Sequence, residues 1–381
     1  PCRSGSKGRL LDSREQPSAD IQEETMKVLA LNSSPRGEGQ SKTEMILTPL
    51  VAGMREAGAQ VEVINLRQKT VRNCIGCYTC WTKTPGVCIH KDDMTQELFP
   101  KWLKADMAVY ATPLYHFTMN ASIKAFIERT LPVLEPFFVR IKDRTTHPLR
   151  HKVPKVVVVS VAGFPEMPVF DQLSSYVRFL FGRGLLAEIY RPGAESLAPM
   201  PFPTKREEIF TALRGAGREL VQSQKVSDET LARITQPLGT ESVFAKIGDL
   251  MWKTCIAEKI TPKEMAERGI VPRPDSIETF MIILPMGFRP DKAGNLKATV
   301  QFDFSGGVAG SCHFVIGDGQ ILAIAGPADN PDLTIETPFD LWMDIITGKR
   351  DGQQAFMAQA YNTKGDLSLL IRVGELFGKQ S

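Results

Sequence analysis

Between Met26 and about residue 225, short apolar runs alternate with longer stretches in which apolar residues recur at helical spacing. Lys27–Leu31, Val61–Leu66, Ala105–Ala111, Lys155–Val161 and Leu185–Tyr190 read as buried strands. The stretches 42–58, 119–133, 168–181 and 205–221 read as helices. Ser41 followed by Glu44 predicts a capping box at the first of these, and Pro49 within it predicts a kink. Parallel strands need crossover connections, so this rhythm predicts an α/β fold, a doubly wound parallel five-stranded sheet covered by helices on both faces. Ligands of such sheets sit at the carboxyl ends of the strands.

Beyond Lys225 the pattern changes. Residues 226–276 read as a polar helical connector broken at Pro237 and Gly239 and closed by the proline-rich Val271–Pro274. From Ile277 to Ser381 the pattern is that of a smaller α+β domain. Val300, Phe302 and Phe304 alternate with polar neighbours, and Asp318-Gly319 signals a hairpin. Leu333–Glu336 is a further strand, and Thr337-Pro338-Phe339-Asp340 predicts a helix start with Thr337 as cap. Two more helices are expected around 353–360 and 366–377. Residues 1–25, rich in Ser, Gly and charge, read as a disordered leader ahead of Met26, and they lack a signal-peptide apolar region.

With 43% hydrophobic residues, the 381-residue chain has the composition of a globular protein of two or three domains. A net charge of +3 without long like-charge blocks argues against a nucleic-acid partner. No apolar run approaches the length of a transmembrane segment. Seven cysteines are too few for a disulfide scaffold, and nothing argues for export, so a cytoplasmic location is expected.

The loop after the first strand, Asn32-Ser33-Ser34-Pro35-Arg36-Gly37-Glu38-Gly39-Gln40-Ser41, leads to a helix N-terminus. It can offer hydroxyls, backbone N–H groups and a helix dipole to a phosphate, or it can be a plain polar cap. It is neither G-x-G-x-x-G nor a Walker A loop. It resembles the first loop of the flavodoxin-like NAD(P)H-dependent FMN reductase family, which implies Ser34, Arg36, Gln40 and Ser41 as FMN-phosphate ligands. Gln40 stands where the family usually has Asn. The resemblance further implies that Pro113, Leu114, Tyr115, His116 and Phe117 wrap the flavin ring and that Gly163 lets backbone approach it. Read singly, Tyr115 and Phe117 are also what packs a loop onto a sheet.

Cys74, Cys77, Cys80 and Cys88 fall within fifteen residues, at steps that resemble iron–sulfur ligands. The subgroup resembled is the iron–sulfur flavoproteins, and Asp92-Asp93-Met94 after the cysteines is similar too. Three readings stay open: a 4Fe-4S cluster, a metal-free thiol group, and structural zinc. The C-terminal segment, with Phe302-Asp303-Phe304-Ser305-Gly306, Gly317-Asp318-Gly319 and Lys364-Gly365-Asp366, resembles the sterol carrier protein type-2 domain, which implies a lipid or sterol-like ligand in an apolar tunnel. For residues such as Phe339, Trp342 and Phe356 an ordinary core explains the same pattern. His116 and His313 belong to no hydrolase motif.

The combined expectation is an FMN-dependent oxidoreductase passing electrons from NAD(P)H to a quinone or other small organic acceptor, with a fused lipid-binding domain. A cluster would add exchange with a ferredoxin-like protein, and the resemblance implies a homo-oligomer. The alternative is a lipid carrier whose flavodoxin-like half is non-catalytic or regulatory.

Overall fold

The computed structural model describes residues 25–197 and 203–377. The leader expected over residues 1–25 lies, but for Thr25, outside the described residues. The first half runs β1 (Lys27–Asn32), α1 (Lys42–Glu56), β2 (Gln60–Asn65), α2 (Phe99–Lys104), β3 (Met107–Tyr115), β4 (Thr118–Met119), α3 (Ala121–Glu128), the short hairpin β5 (Val139–Ile141) and β6 (Arg144–Thr146), β7 (Lys155–Val161), α4 (Asp171–Phe181), β8 (Leu185–Arg191) and α5 (Pro203–Ser223).

The main sheet has the order β2-β1-β3-β7-β8, all parallel, with β4 added antiparallel to β3. Counting only the parallel strands, that is the 2-1-3-4-5 order of the flavodoxin-like fold. The pleat sorts the core into two layers. Val28 and Ala30 of β1, with Met107, Val109 and Ala111 of β3, meet α1 and α5, whereas Leu29, Leu31, Ala108 and Tyr110 meet Trp102, Ile123, Phe126, Leu173 and Val177 on the other side. Helices α1 and α5 approach closely: a methyl group on Gly53 would run into the carbonyl of Arg214, and one on Gly217 into that of Leu50.

Three local expectations are corrected. Helix α1 runs unbroken through Pro49. Ser41 caps it by accepting from Glu44 N–H at 3.0 Å, but the Glu44 carboxylate turns to Arg67, so the reciprocal half of the capping box is absent. The strand expected at Ala105–Ala111 starts two residues later and continues to Tyr115, because it turns back into β4 instead of ending in a loop.

The connector folds as α6 (Asp228–Thr235), α7 (Glu241–Glu258) and α8 (Pro262–Glu267), broken as expected around Pro237 and Gly239. Then come α9 (Ile277–Met286), α10 (Pro290–Ala293), β9 (Ala298–Ser305), β10 (Gly310–Gly317), β11 (Gln320–Ala325), β12 (Leu333–Pro338), α11 (Phe339–Ile346), α12 (Gly352–Met357), β13 (Asn362–Gly365) and α13 (Leu367–Phe377). Their sheet has the order β11-β10-β9-β12-β13, with β9 and β12 parallel and the other pairs antiparallel. The hairpin turns at Asp318-Gly319, both with positive φ. Thr337 is not a helix cap: it stays in β12, and α11 begins at Phe339 after Pro338. Phe302 sits at the centre of an aromatic core, edge-on to Phe280 and Phe314 at 5.1 and 5.8 Å and against Trp342 at 5.1 Å.

Candidate functional site

The loops after β1, β3, β7 and β8 are tied together at the carboxyl edge of the main sheet. Asn120, the N-cap of α3, donates through Nδ2 to the Ser33 carbonyl at 2.6 Å and through its own N–H to Thr112 Oγ1 at 3.1 Å. Ser33 N–H and Oγ both reach the Ala111 carbonyl, at 2.9 and 3.0 Å. Arg36 Nη1 pairs with Glu195 at 2.8 Å, and Gly193 and Ala194 beside Glu195 donate to the carbonyls of Phe164 and Ala162 at 2.7 and 2.8 Å. Four loops are thus held at one edge of the sheet by groups far apart in the sequence.

Within the first loop, Ser34 is buried and its Oγ accepts from Arg36 N–H at 3.3 Å. Gln40 is exposed. Ser41 Oγ is engaged at the helix cap. Side chains added at Gly37 or Gly39 would meet nothing within 4 Å, so the loop borders open space. Burial above all pushes the Lys42 ammonium below its ordinary pKa; Glu195 pulls it back up, and Arg36 and Arg206 add to the depression. Arg36 pairs with Glu195, and Lys42 lies within the field of Glu195, Arg36 and Arg206, so cations gather beside a helix N-terminus. That donor set fits a phosphate.

The third-strand loop is a two-residue hairpin. Tyr115 pairs with Thr118, and the intervening His116 and Phe117 both have positive φ, at 48° and 64°. Such a turn normally takes Asn-Gly; bulky residues there cost about 1 kcal/mol or more each. The strain presents Tyr115 and Phe117 to solvent, 45% and 52% exposed. Pro113 and Leu114 are half-buried, and Gly163 in the loop after β7 is exposed with clear space around it. Exposed rings and a bare glycine at the same edge of the sheet fit a flat aromatic ligand.

The four cysteines line one open cavity of about 330 Å³ together with His90, Arg129 and Pro132. Left-handed backbone at Gly76 and Tyr78 wraps the chain around it. Cys80 is buried, Cys74 and Cys88 are half-buried and Cys77 is exposed. Burial first, then the neighbouring Cys88, Cys77 and Cys74, push the Cys80 thiol up, whereas hydrogen bonds from Thr79 lower Cys77. His90 Nε2 and Arg129 Nε, both buried, have no partner. Four thiols beside a guanidinium that Cys88 already engages fit a cofactor held by sulfur. As the thiols stand, no group of three or more His, Cys, Asp or Glu among the described residues is arranged to hold a metal ion.

Sequence reasoning missed what positions this loop. Arg129 and Asp92, both buried, form a two-pronged ion pair with contacts of 2.7 and 3.0 Å. Asp92 also accepts from Arg72 and Thr95 N–H at 2.9 and 3.2 Å, and Arg129 donates to the Arg72 carbonyl at 2.6 Å. Burial works against Asp92 ionisation, but the Arg129 guanidinium and these backbone N–H groups outweigh it and hold the carboxyl well below its usual range. The pair clips together the two ends of the segment carrying all four cysteines. The helix expected over 119–133 starts at Ala121, so Asn120 is its cap and not its interior; Glu195 and the Asp92–Arg129 pair carry no local signal.

Residues 26–180 match the NADPH-dependent FMN reductase family. Residues 289–378 match the SCP-2 sterol transfer family. An iron-sulfur flavoprotein of Archaeoglobus fulgidus is 33% identical over 107 residues, 28% of this chain and 46% of that protein. The chain spans about half the length of the iron-sulfur flavoproteins it matches. An FMN-dependent NADH:quinone oxidoreductase of Pseudomonas aeruginosa is 28% identical over 182 residues, 45% of this chain and 88% of that one. An azoreductase structure from Bacillus anthracis covers 52% of this chain and 99% of its own, at 18% identity and a TM-score of 0.38. The FMN-reductase segment contains the first- and third-strand loops, Gly163 and the cysteine cavity; the SCP-2 segment contains the aromatic core around Phe302. Among the described residues no helix is long and apolar enough to cross a membrane.

Proposed function

We propose that the chain is an FMN-dependent oxidoreductase, taking electrons from NAD(P)H to a quinone or other small organic acceptor, with an attached lipid-binding domain. The observation that carries this reading is the tie between loops at the carboxyl edge, Asn120 to the Ser33 carbonyl and Arg36 to Glu195, which gathers the exposed His116-Phe117 turn and the first loop at one end of the sheet. FMN, when bound, supplies hydride acceptance from the nicotinamide and delivery of electrons to the acceptor. Ser34, Arg36, Lys42 and the first N–H groups of α1 hold its phosphate, with Gln40 and Ser41 at the rim. Pro113, Leu114, Tyr115, His116 and Phe117 wall its ring and keep water from one face. Gly163 leaves room for backbone on the other side.

Cys74, Cys77, Cys80 and Cys88 would hold an iron–sulfur cluster, which supplies one-electron exchange with a ferredoxin-like partner. Arg129 at the cavity wall offsets thiolate charge, and the names of the matched iron-sulfur flavoproteins favour the assignment. The SCP-2 segment supports a lipid or sterol-like ligand for the second domain, whose buried Trp342 Nε1 has no acceptor.

The test is anaerobic purification, FMN reconstitution and spectroscopy, followed by NAD(P)H oxidation with a quinone. Stoichiometric flavin and quinone-dependent turnover are expected. A protein that stays colourless with FMN yet takes up fluorescent fatty acid would replace this reading with that of a carrier. Iron and acid-labile sulfide well below stoichiometry after reconstitution would remove the cluster.

A further inference from the structure

Arg191 closes β8 and is among the most deeply buried side chains, 2% exposed. Its Nη1 donates to the carbonyls of Ile234 and Gln236, both at 2.7 Å, at the end of α6. That accounts for one edge of the guanidinium. Nε is buried without a partner, and Nη2 donates to none of the described residues. Nε and Nη2 form the other edge of the planar group, the fork that grips two oxygens of a carboxylate or phosphate. Burial alone moves this guanidinium, down to about 10, with no carboxylate acting to raise it. A buried charge in that state is costly unless something pairs with it.

Arg191 lines a cavity of about 560 Å³ between the turn after β8 and the start of α7. Across it stands the N-terminus of α7, an 18-residue helix capped by Thr240, whose Oγ1 accepts from Val243 N–H at 3.3 Å. The first N–H groups of a helix have no intrahelical acceptor and carry the positive end of its dipole. Pro165, Leu238, Phe244 and Ile247 make the remaining walls largely apolar. Glu241 borders the cavity but is exposed, and it is not among the charges acting on Arg191.

We propose that this cavity is a second ligand site, taking an organic anion whose phosphate or carboxylate head pairs with the free edge of Arg191 and the N-terminus of α7 while its apolar body lies against Leu238 and Phe244. The cavity touches the carboxyl-edge loops at Pro165, Gly193 and Ser196 but includes none of the residues assigned to FMN, and it stands whether or not FMN binds there. Its occupant bridges the α/β domain and the connector, since Arg191 belongs to one and α7 to the other.

The test is calorimetric titration of FMN-saturated protein with sodium phosphate and, separately, sodium hexanoate at constant ionic strength. Thr240→Asp is the decisive variant, because Asp caps a helix at least as well as Thr while placing a carboxylate opposite Arg191. Arg191→Lys, which keeps the charge and loses the fork, is the second. Binding of either probe by the wild type, weakened at least tenfold in Thr240→Asp and also reduced in Arg191→Lys, is expected, and the probe that binds names the head group. If neither probe binds the wild type, or if both variants bind like it, the proposal is overturned. Phosphate held at the first loop by protein that fails to take FMN would be equal in wild type and Thr240→Asp, so the two sites are told apart.

Discussion

Removing Arg129 tests whether the Asp92–Arg129 pair clips the cysteine segment to the sheet. In Arg129→Met the buried Asp92 keeps its backbone donors from Arg72 and Thr95 but loses both guanidinium contacts, of 2.7 and 3.0 Å. Breaking a buried pair from one side costs about 3–5 kcal/mol. For a domain of this size that is a fall in Tm of roughly 10 °C. The sign of the pH dependence adds a second check. Asp92 has its folded pKa depressed, so in the wild type its contribution is complete above the unfolded value, about 3.9, and is lost as pH falls through the lower folded value. In Arg129→Met burial dominates and raises the Asp92 pKa, so the deficit relative to wild type should be largest near pH 7 and shrink towards pH 5. Hydrogen exchange of β3 and β7 amides under increasing urea reads the stability of this sheet without interference from the second domain. A loss below about 1 kcal/mol, or a deficit that does not change between pH 7 and pH 5, would refute the reasoning; it would mean that water reaches Asp92 and that the pair behaves as a surface contact.

Arg36→Ala and Ser34→Ala should each weaken FMN binding at least several-fold in a fluorescence titration; unchanged affinity in both would put the phosphate elsewhere. Gly53→Ala should cost about 1–3 kcal/mol by overpacking against the Arg214 carbonyl, read by urea unfolding of the α/β domain. Phe302→Ala should destabilise the SCP-2 domain by about 3–5 kcal/mol while leaving FMN affinity unchanged. Among thiols of the metal-free protein, exposed Cys77 should alkylate first as pH rises, and Cys312, which burial and then Asp303 push up to about 12, only on unfolding; equal rates at pH 8 would contradict both environments.

Where structure follows from local chemistry, the sequence was legible. The five parallel strands come from β-branched runs such as Lys155–Val161, which matches its observed limits, and the breaks at Pro237 and Asp318-Gly319 are dictated by backbone preferences. The candidate FMN residues were named through a resemblance of their loops to a family, and strand order adds only that the carboxyl edge gathers those loops whatever their separation. Illegible were features whose two halves lie far apart, such as Asp92 with Arg129 and Arg36 with Glu195. The β3–β4 hairpin was hidden for another reason. Its turn is His116-Phe117, and nothing in those residue types announces positive φ.

The glycine contact between α1 and α5 sets an order of assembly. Gly53 and Gly217 let two backbones touch, one helix opening the α/β domain and the other following its last strand. Contacts of such long sequence separation form late, since the intervening chain must first be ordered. The first loop stands at the N-terminus of α1, so the proposed phosphate cradle reaches its final form only once α5 has docked. During synthesis the cofactor site is thus completed from its far end, after every strand of the sheet has left the ribosome. Truncation between the end of β8 and the start of α5 should leave a chain with all the proposed flavin-contact residues present and no affinity for flavin.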